Sequence, residues 1–410
     1  MSEALHALSR KLPRILLVTD ADLTAGSRGA GRTLVNLFSR YPAGALLAVS
    51  GSAHAPYHTD DGCLVLPGAP GVPGRLVDGL RGVIGDVDAM VARWMPLHDA
   101  AAIHAFAPQL VLAAPTHPVG IALAERCAAM RPNVPVVTYL MDDWLSHRDS
   151  VQLAFNTPRR GRALLRASRG WLVISRYLLE SMRSSTGIDR PAHVVHNPVS
   201  LSGGAPSALA APRGGRYRVA YAGSVWPMHW DAVAAVAASV ARLRAAGEDI
   251  EFVLFTDRFF WTRHEADWRR WGVVDGGLVP YAQLGSALGA CDLLLVASSF
   301  EPSQAHMTRS SVQTKVTDYM AAGRPILGCG PRDAASNRFL REHACALFAE
   351  DPAPAAVDSA LRACVAARSE GPALARRAWE VVRREHETGA VTGALYEFLR
   401  RMADGEQRTA

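Results

Sequence analysis

The chain has 410 residues, of which 49% are hydrophobic and 20% are charged, with 44 basic against 38 acidic side chains. These proportions are typical of a folded protein of two to three domains and exclude a disordered or collagen-like chain. Long basic runs with interleaved aromatic residues are missing, which argues against nucleic-acid binding. No apolar run approaches the roughly 18 residues of a membrane span, and the N-terminal apolar run is too short for a signal peptide. We therefore expect a cytoplasmic protein.

The first half of the sequence alternates between short apolar runs and amphipathic stretches. Such β-α-β alternation predicts an open parallel sheet with helices on both faces. The predicted strands cover residues 14–19, 45–50, 109–115, 134–141, 170–175 and 193–198. The segment 68–103 has apolar residues at roughly helical spacing with arginines between them. It reads as a solvated amphipathic helix, with a membrane-surface or acceptor-binding helix as the open alternative.

A stretch rich in Gly, Pro, Ser and Ala, residues 199–216, predicts an interdomain linker, after which the α/β pattern begins again. The second set of predicted strands covers residues 217–223, 250–256, 273–281, 291–298, 325–330 and 346–350, and the tail 355–403 reads as helical. The sequence thus predicts two doubly wound domains. Because open α/β sheets bind ligands at the carboxyl ends of their strands, we expect one deep cleft between the two domains.

Two motifs of the first half carry chemistry. Gly29 and Gly31 stand where a helix begins after the first strand, a place where backbone amides favour an anion, although a plain tight turn explains them equally well. Leu34 replaces the third glycine of a dinucleotide fingerprint, which disfavours a nicotinamide enzyme. Asp142 and Asp143 directly follow a predicted strand, where catalytic groups of such sheets lie; the alternative is a helix cap with a solvated neighbour.

Metal sites find little support in the sequence. The six cysteines are scattered without paired spacing, which predicts buried thiols in a reducing compartment and no zinc site. Two Asp-x-Asp triplets, at 20–22 and 86–88, are of a kind common by chance. We therefore predict that the protein needs no metal.

The second half carries two further motifs, both at predicted strand ends. Gly223 and Ser224, followed by His229, form a strand–glycine turn whose amides suit a diphosphate. The strongest motif is the polar loop of residues 310–314 running into a helix that begins with Lys315 and contains Asp318. All but two of the 44 basic residues are arginines, so a lysine here is consistent with a need for a compact ammonium beside phosphate; chance survival of the lysine explains its rarity equally well.

The order of these motifs resembles that of a GT-B glycosyltransferase close to the family 4 type. The resemblance covers about residues 13–400 and rests on the strings DDW, ISRYLLESM, YAGSV, LGACDLLLVAS and TKVTDYMAAGRPIL. It implies two Rossmann-like domains facing a cleft: an acceptor-side domain 1–200, a linker 201–216, a donor-binding domain 217–380, and a last helix within 381–410 that crosses back to the first domain. It also implies metal-independent transfer of a sugar from a nucleotide-sugar with retention of configuration.

The resemblance assigns roles position by position. Asp318 would bind ribose, and the loop from Ser311 to Thr314 would hold the diphosphate, with Gly29 and Gly31 approaching the same phosphates. The remaining candidates are Val279 and Tyr281 for the base, Gly223, Ser224 and His229 for the donor, and Asp142 or Asp143 beside the transferred sugar.

The sequence departs from the family pattern at three places. Ser310 stands where the first glutamate of a Glu-x7-Glu pair is usual, and Met141 stands near the place of a histidine. The basic pair expected after Gly223 is missing, which leaves Lys315 as the cation for the phosphates and, with Asp142 and Asp143, as a catalytic candidate.

The predicted function is therefore glycosyl transfer from a UDP- or GDP-linked sugar to a glycan, lipid-linked or other glycoconjugate acceptor, with no further cofactor. By analogy with the family, polysaccharide biosynthesis is the expected setting. A sugar-nucleotide epimerase and a catalytically degenerate binding homologue remain as alternatives. Peripheral contact with the inner face of the cell membrane is a further open alternative.

Overall fold

The computed structural model describes residues 12–405 except 25, 28, 54, 69–96, 98, 146–156, 202–203, 207–208 and 210–214. Most of the segment 68–103, predicted as an amphipathic helix, lies outside the described residues. The chain divides into two compact units, one formed by 1–198 with 389–410 and the other by 199–388. All six cysteines are buried, two of them in the first unit and four in the second.

The first unit contains an eight-stranded sheet in the order β3-β4-β2-β1-β5-β6-β7-β8. Its strands are β1 Ile15–Thr19, β2 Leu46–Ser50, β3 Tyr57–His58, β4 Leu64–Pro67, β5 Leu110–Ala114, β6 Val136–Leu140, β7 Gly170–Val173 and β8 Ala192–Val194. All neighbours pair in parallel except β3, which runs antiparallel to β4. β3 and β4 are additional to the predicted strands.

Helices flank this sheet: α1 Ala30–Phe38, α2 Ala100–Phe106, α3 Pro118–Met130, α4 Thr157–Ala167 and α5 Arg176–Thr186. Every residue of β1 and β5 is buried, as expected for strands covered by helices on both faces. In the register of β1, Thr19 lies opposite Ser50 of β2 and Ala114 of β5. The carboxyl ends of these three strands therefore meet at one edge of the sheet.

The second unit contains a six-stranded, fully parallel sheet in the order β11-β10-β9-β12-β13-β14. Its strands are β9 Tyr217–Ala222, β10 Ile250–Phe255, β11 Val274–Asp275, β12 Leu293–Ala297, β13 Ile326–Cys329 and β14 Leu347–Ala349. Its helices are α6 Pro227–Ala245, α7 Arg258–Arg263, α8 Glu265–Trp271, α9 Tyr281–Gly289, α10 Ala305–Thr308, α11 Lys315–Ala321, α12 Ala335–Glu342, α13 Pro354–Ala366 and α14 Gly371–Val381.

The predicted strand 273–281 is wrong beyond its first residues, since β11 ends at Asp275. The Asp275 carboxylate accepts a hydrogen bond from the Gly277 N–H at 2.9 Å, and Gly277 has a φ of 63°. An Asx turn of this kind competes with strand pairing. The residues that follow therefore form a loop that leads into α9.

The chain ends with a π-helical turn, Val382–His386, and the helix α15, Thr388–Asp404. From Gly389 onward, α15 belongs to the first unit. The Tyr396 hydroxyl donates to the Leu37 carbonyl oxygen at 2.8 Å, and Phe398 and Leu399 are part of that unit's core. Among the helices that the structure describes, none combines the length and apolar character needed to cross a bilayer.

Candidate active site

In the second unit, Gly223 ends the central strand β9 in a conformation that favours glycine. Its φ is 124°, and its N–H donates to the Phe255 carbonyl oxygen at 2.9 Å. A Cβ at this position would lie 3.2 Å from the Lys315 Nζ. Absence of a side chain at Gly223 therefore gives the lysine its room.

Lys315 begins α11 and reaches the end of β9. Its Nζ donates to the Tyr221 hydroxyl at 2.5 Å and lies 3.7 Å from the centre of the Tyr221 ring. Burial lowers the pKa of Lys315 to about 7. Between described residues this lysine forms no ion pair, and its Nζ contacts the neutral Tyr221 hydroxyl and ring face. An anion bound here would stabilise the ammonium form.

His229 lies under the same loop, in the first turn of α6, and only 6% of it is exposed. Its Nδ1 is 3.1 Å from the Ser224 carbonyl oxygen, which can only accept, so Nδ1 donates. Burial, and then the charge of Lys315, hold the pKa of His229 well below its usual value. His229 is therefore a neutral residue that fixes the Ser224 loop, and the cation beside this loop is Lys315.

The loop before α11 is anchored by a glutamine that the sequence analysis did not select. The Gln313 side-chain amide donates to the Ala297 carbonyl oxygen at 2.7 Å, and its backbone N–H donates to the Ser336 hydroxyl at 3.1 Å. Ser311 is buried, with 5% exposed, and Thr314 is half-buried directly before the helix. The predicted phosphate loop is thus fixed to the ends of β12 and α12.

Asp318 and Tyr281, which the resemblance assigned to ribose and base, are in contact. The Tyr281 hydroxyl donates to the Asp318 Oδ1 at 3.1 Å. Tyr281 is exposed, Asp318 is half-buried, and Val279 lies two residues before the tyrosine in the loop that precedes α9. The structure therefore brings together two residues that are 37 positions apart in sequence.

In the first unit, both predicted glycines stand at the start of α1. Gly29 precedes the helix with a φ of 52°. A Cβ on Gly31 would lie 1.9 Å from the Asp22 carbonyl oxygen, so no side chain fits there. The turn thus requires glycine at position 31, and residues 25 and 28 of the preceding loop lie outside the described residues.

The two adjacent carboxylates after β6 differ in their surroundings. Asp143 is buried, with 3% exposed, whereas Asp142 is half-buried. The charge of Asp142 contributes to raising the pKa of His117, so the two side chains lie in the same region. Of the two predicted residues, Asp142 is the one that solvent reaches.

The sequence analysis missed an aspartate–histidine pair at this same edge. Asp20 follows β1 and His117 follows the neighbouring strand β5, and the His117 Nδ1 lies 2.9 Å from the Asp20 Oδ2. Asp20 also accepts from the Thr116 N–H at 2.7 Å and from the Thr116 hydroxyl at 2.9 Å. A Cβ on Gly120 would lie 2.5 Å from the Asp20 Oδ1, so a glycine in α3 makes room for the carboxylate.

Within the described part of the chain, His, Cys, Asp and Glu side chains form no group of three or more that could hold a metal ion. Metal independence therefore stays a prediction, to be tested by experiments with and without a chelator.

Comparison with known protein families gives one match. Residues 213–395 match the family described as "Glycosyl transferase-like". The match covers the whole second sheet and amounts to a little under half of the chain. A comparison with curated proteins gives no match.

Solved structures resemble the chain over nearly its whole length. HepE from Anabaena, in complex with UDP-glucose, matches with a TM-score of 0.68 and 13% identity, covering 94% of this chain and 99% of that one. Sucrose-phosphate synthase from Thermosynechococcus elongatus matches with a TM-score of 0.71 and 12% identity, covering 96% and 99%. An E. coli structure described as trehalose-6-phosphate bound with UDP-2-fluoro glucose has a TM-score of 0.63, 10% identity, and coverage of 94% and 99%.

At these identities the structural matches show the fold, and they confirm the predicted α/β class with two parallel sheets, as in GT-B glycosyltransferases. The family match adds the activity class of the second unit. The family match over residues 213–395 and the fold over nearly the whole chain agree with the resemblance read from the sequence, which is to glycosyltransferases of the GT-B type.

Proposed function

We propose that the protein is a glycosyltransferase, and that it takes its sugar from a nucleoside diphosphate sugar that binds at the carboxyl edge of the second sheet. The observation that carries the proposal is Lys315, whose ammonium lies beside Gly223 with a tyrosine in place of a carboxylate partner. An ammonium in such a place suits a diphosphate. HepE was solved with UDP-glucose, which favours UDP as the nucleotide.

The remaining residues of this edge suit the other parts of the donor. Asp318 with Tyr281 offers hydrogen-bonding groups to the ribose hydroxyls, and the loop containing Val279 is our candidate for contact with the base. The loop from Ser311 to Thr314, fixed by its neighbour Gln313, offers its amides to the diphosphate. Ser224 and His229 shape the opposite loop.

The leaving group develops negative charge as the bond between the sugar and the diphosphate breaks. Lys315 and the loop amides are groups that stabilise such charge without a metal ion. We accordingly propose a metal-independent reaction. Because the basic pair after Gly223 is replaced by Ser224 and His229, the proposal assigns this charge stabilisation to Lys315 and the loop amides.

We further propose that the first unit binds the acceptor, a glycan, glycolipid or other glycoconjugate. The accessible carboxylate Asp142 and the glycine turn at Gly29 and Gly31 are its candidate contacts, with the buried Asp143 as a supporting residue. Retention of configuration is implied by the resemblance, and peripheral membrane contact by the net positive charge and the segment 72–103; both stay predictions. The epimerase alternative receives no support from the comparisons.

A thermal-shift experiment tests the donor proposal directly. The full chain is heated with UDP, GDP, ADP, dTDP or CMP, with and without EDTA, and with NAD as a control. We expect UDP to raise the melting temperature equally in both conditions. Stabilisation that EDTA abolishes would overturn metal independence. No stabilisation by any nucleotide would refute the donor site and favour a degenerate homologue.

A further inference from the structure

The two central strands of the second sheet separate toward their carboxyl ends. β9 pairs with β10 as far as Ala222, which lies opposite Phe255, but it pairs with β12 only at Val219 and Ala220. The chain continues from β9 to β10 on one side, whereas β12 lies on the other side, so the strand order reverses here. Ligands of open α/β sheets bind in the crevice at such a point. The gap between β9 and β12 is therefore the expected place of a ligand in the second unit.

The helix α11 reaches into this gap with a tyrosine hydroxyl. The Tyr319 hydroxyl accepts from the Ala222 N–H at 2.7 Å and donates to the Ala222 carbonyl oxygen at 3.2 Å. It thus satisfies the two backbone groups of β9 that a longer ladder with β12 would pair. Lys315 is four positions earlier in the same helix, and residues at this spacing lie on one face. The lysine therefore also faces β9.

The contacts of Tyr221 define where its hydroxyl hydrogen points. In its ammonium form Lys315 can only donate, so the Tyr221 hydroxyl oxygen accepts from the Lys315 Nζ. The hydroxyl hydrogen is then donated to the Ser224 carbonyl oxygen at 2.8 Å, which also accepts from the His229 Nδ1. The buried phenol thus links the lysine of α11 to the loop that follows β9.

This link restricts a side chain that is otherwise flexible. A lysine has a four-carbon stem, and each rotatable bond that a ligand must fix lowers the affinity. The Tyr221 hydroxyl and ring hold the Nζ through neutral groups, so the positive charge is fixed without being neutralised. Between described residues the Nζ makes this one hydrogen bond, so two of its three N–H donors remain for a ligand. Gly223 leaves the space beside them, since a Cβ there would lie 3.2 Å from the Nζ.

We propose that Tyr221 is a positioning residue of the donor site, whose hydroxyl and ring hold the Lys315 ammonium beside Gly223 for the diphosphate. Tyr221 acts through the lysine and needs no contact with the substrate itself. This assignment rests on the proposed function, because it takes the Lys315 site to bind a nucleoside diphosphate. A tyrosine that only supports the fold would also be buried and hydrogen-bonded, so the test has to separate the two roles.

The same strand provides a matched control. Tyr217 lies four residues earlier on β9, is 3% exposed, and donates its hydroxyl to the Cys364 carbonyl oxygen at 3.3 Å. Because side chains alternate along a strand, Tyr217 and Tyr221 lie on the same face of the sheet. Each has a backbone acceptor for its hydroxyl and a cation near its ring, which is Arg368 in the case of Tyr217. Only Tyr221 contacts Lys315.

The test is a double-mutant cycle on the full chain. The affinities for UDP and for uridine are measured by calorimetry in the wild type, Tyr221→Phe, Lys315→Met and the double variant, with Tyr217→Phe as the control. Thermal melting curves establish that each variant folds. Phenylalanine keeps the ring and removes only the hydroxyl, so the cycle reports on the hydrogen bonds of the phenol.

We expect Tyr221→Phe to raise the Kd for UDP about tenfold, within the range of one hydrogen bond to a charged group. Uridine has no phosphate and should bind equally well to this variant and to the wild type. In the Lys315→Met background the same change should alter the Kd for UDP by less than about twofold, because the group that Tyr221 positions is gone. Tyr217→Phe should match the wild type.

A measurement on the wild-type tyrosine keeps the inference testable if Tyr221→Phe does not fold. The chain has only two lysines, Lys11 and Lys315. Isotope labelling of lysine therefore gives an NMR spectrum of two side chains, and Lys11→Arg assigns them. The ring current of an aromatic side chain shifts protons above its face upfield. We expect the end of the Lys315 side chain to be shifted upfield in the free protein and to stay so in the complex with UDP.

Three results would overturn the assignment. The first is wild-type affinity for UDP in Tyr221→Phe, and the second is an equal loss of affinity in the presence and absence of Lys315. The third is a Lys315 resonance without the upfield shift when UDP is bound. Each of these results leaves the donor site standing. A wild type that binds no nucleoside diphosphate would instead refute the proposed function itself, and the role of Tyr221 with it.

Discussion

Replacing Lys315 by methionine tests the donor site most directly. The change keeps the length of the side chain and removes the ammonium that lies against the Tyr221 hydroxyl and ring. A hydrogen bond to a charged group contributes ~1.5–3 kcal/mol. Taking ~2 kcal/mol, we expect the Kd for UDP to rise about 30-fold, because 1.4 kcal/mol is a factor of ten. Calorimetry measures this change.

Two controls separate the lost charge from a general disturbance. Uridine lacks phosphate, so its affinity should be equal in Lys315→Met and in the wild type. Arg269→Met removes a positive charge from a side chain that is 76% exposed and pairs with Glu265, and it should leave UDP binding unchanged. If Lys315→Met binds UDP as tightly as the wild type, the ammonium does not contact the diphosphate and the reasoning fails.

The pH dependence of UDP binding follows from the same residue. Burial lowers the pKa of Lys315 to about 7, so in the free protein the ammonium is lost as pH rises above that value. Bound diphosphate favours the charged form, so binding should take up a proton above pH 7. We expect the affinity for UDP to fall between pH 7.5 and 9 in the wild type and to stay flat in Lys315→Met. Calorimetry in buffers of different ionisation enthalpy measures the uptake.

Lys315 makes the free energy of unfolding depend on pH in the opposite direction to the affinity for UDP. The folded pKa of Lys315 lies below that of the unfolded chain, so the unfolded state binds more protons between about 7 and 10.5. The free energy of unfolding therefore rises with pH through this range. At pH 7 and below, Lys315→Met should unfold at higher denaturant concentration than the wild type. The buried ammonium that suits a phosphate group therefore lowers the free energy of unfolding of the ligand-free protein.

The other predictions concern the ribose site and the glycine turn. Asp318→Asn should weaken UDP binding about tenfold in calorimetry, since a charged acceptor for ribose hydroxyls is lost; equal affinity would remove this residue from the site. Gly31→Ala should lower the free energy of unfolding by ~1–3 kcal/mol in urea titration, because its Cβ would overlap the Asp22 carbonyl oxygen. An unchanged midpoint would show that the turn rearranges without strain.

Most strands of the two sheets could be predicted from the sequence, because a buried parallel strand is a continuous apolar run. β1 and β5 illustrate this, since every residue of both is buried. β3 has only two residues, half-buried or exposed, and gives no such signal. The strand expected over 273–281 ends early because Asp275 and Gly277 form a turn. A prediction based on the run of apolar residues does not detect such a turn.

Only some residues of the candidate site could be predicted from the sequence. Lys315 stood out by its rarity and by its place at a helix start, but its contact with Tyr221 depends on β9 and β12 being neighbours. Asp20 and His117 are 97 positions apart, and no motif joins them. The available signal was that each follows a predicted strand, which becomes informative only once the strand order places β1 beside β5.

The position of α15 bears on how the chain folds during synthesis. Leu395, Phe398, Leu399 and Met402 belong to the core of the first unit, although about 190 residues of the other unit precede them. The second unit is continuous and is synthesised before this helix, so it can complete its core first. The first unit exposes the apolar surface that α15 covers until that helix has been synthesised, and contacts this distant in sequence form slowly. A fragment ending near residue 200 would keep that surface exposed and should aggregate.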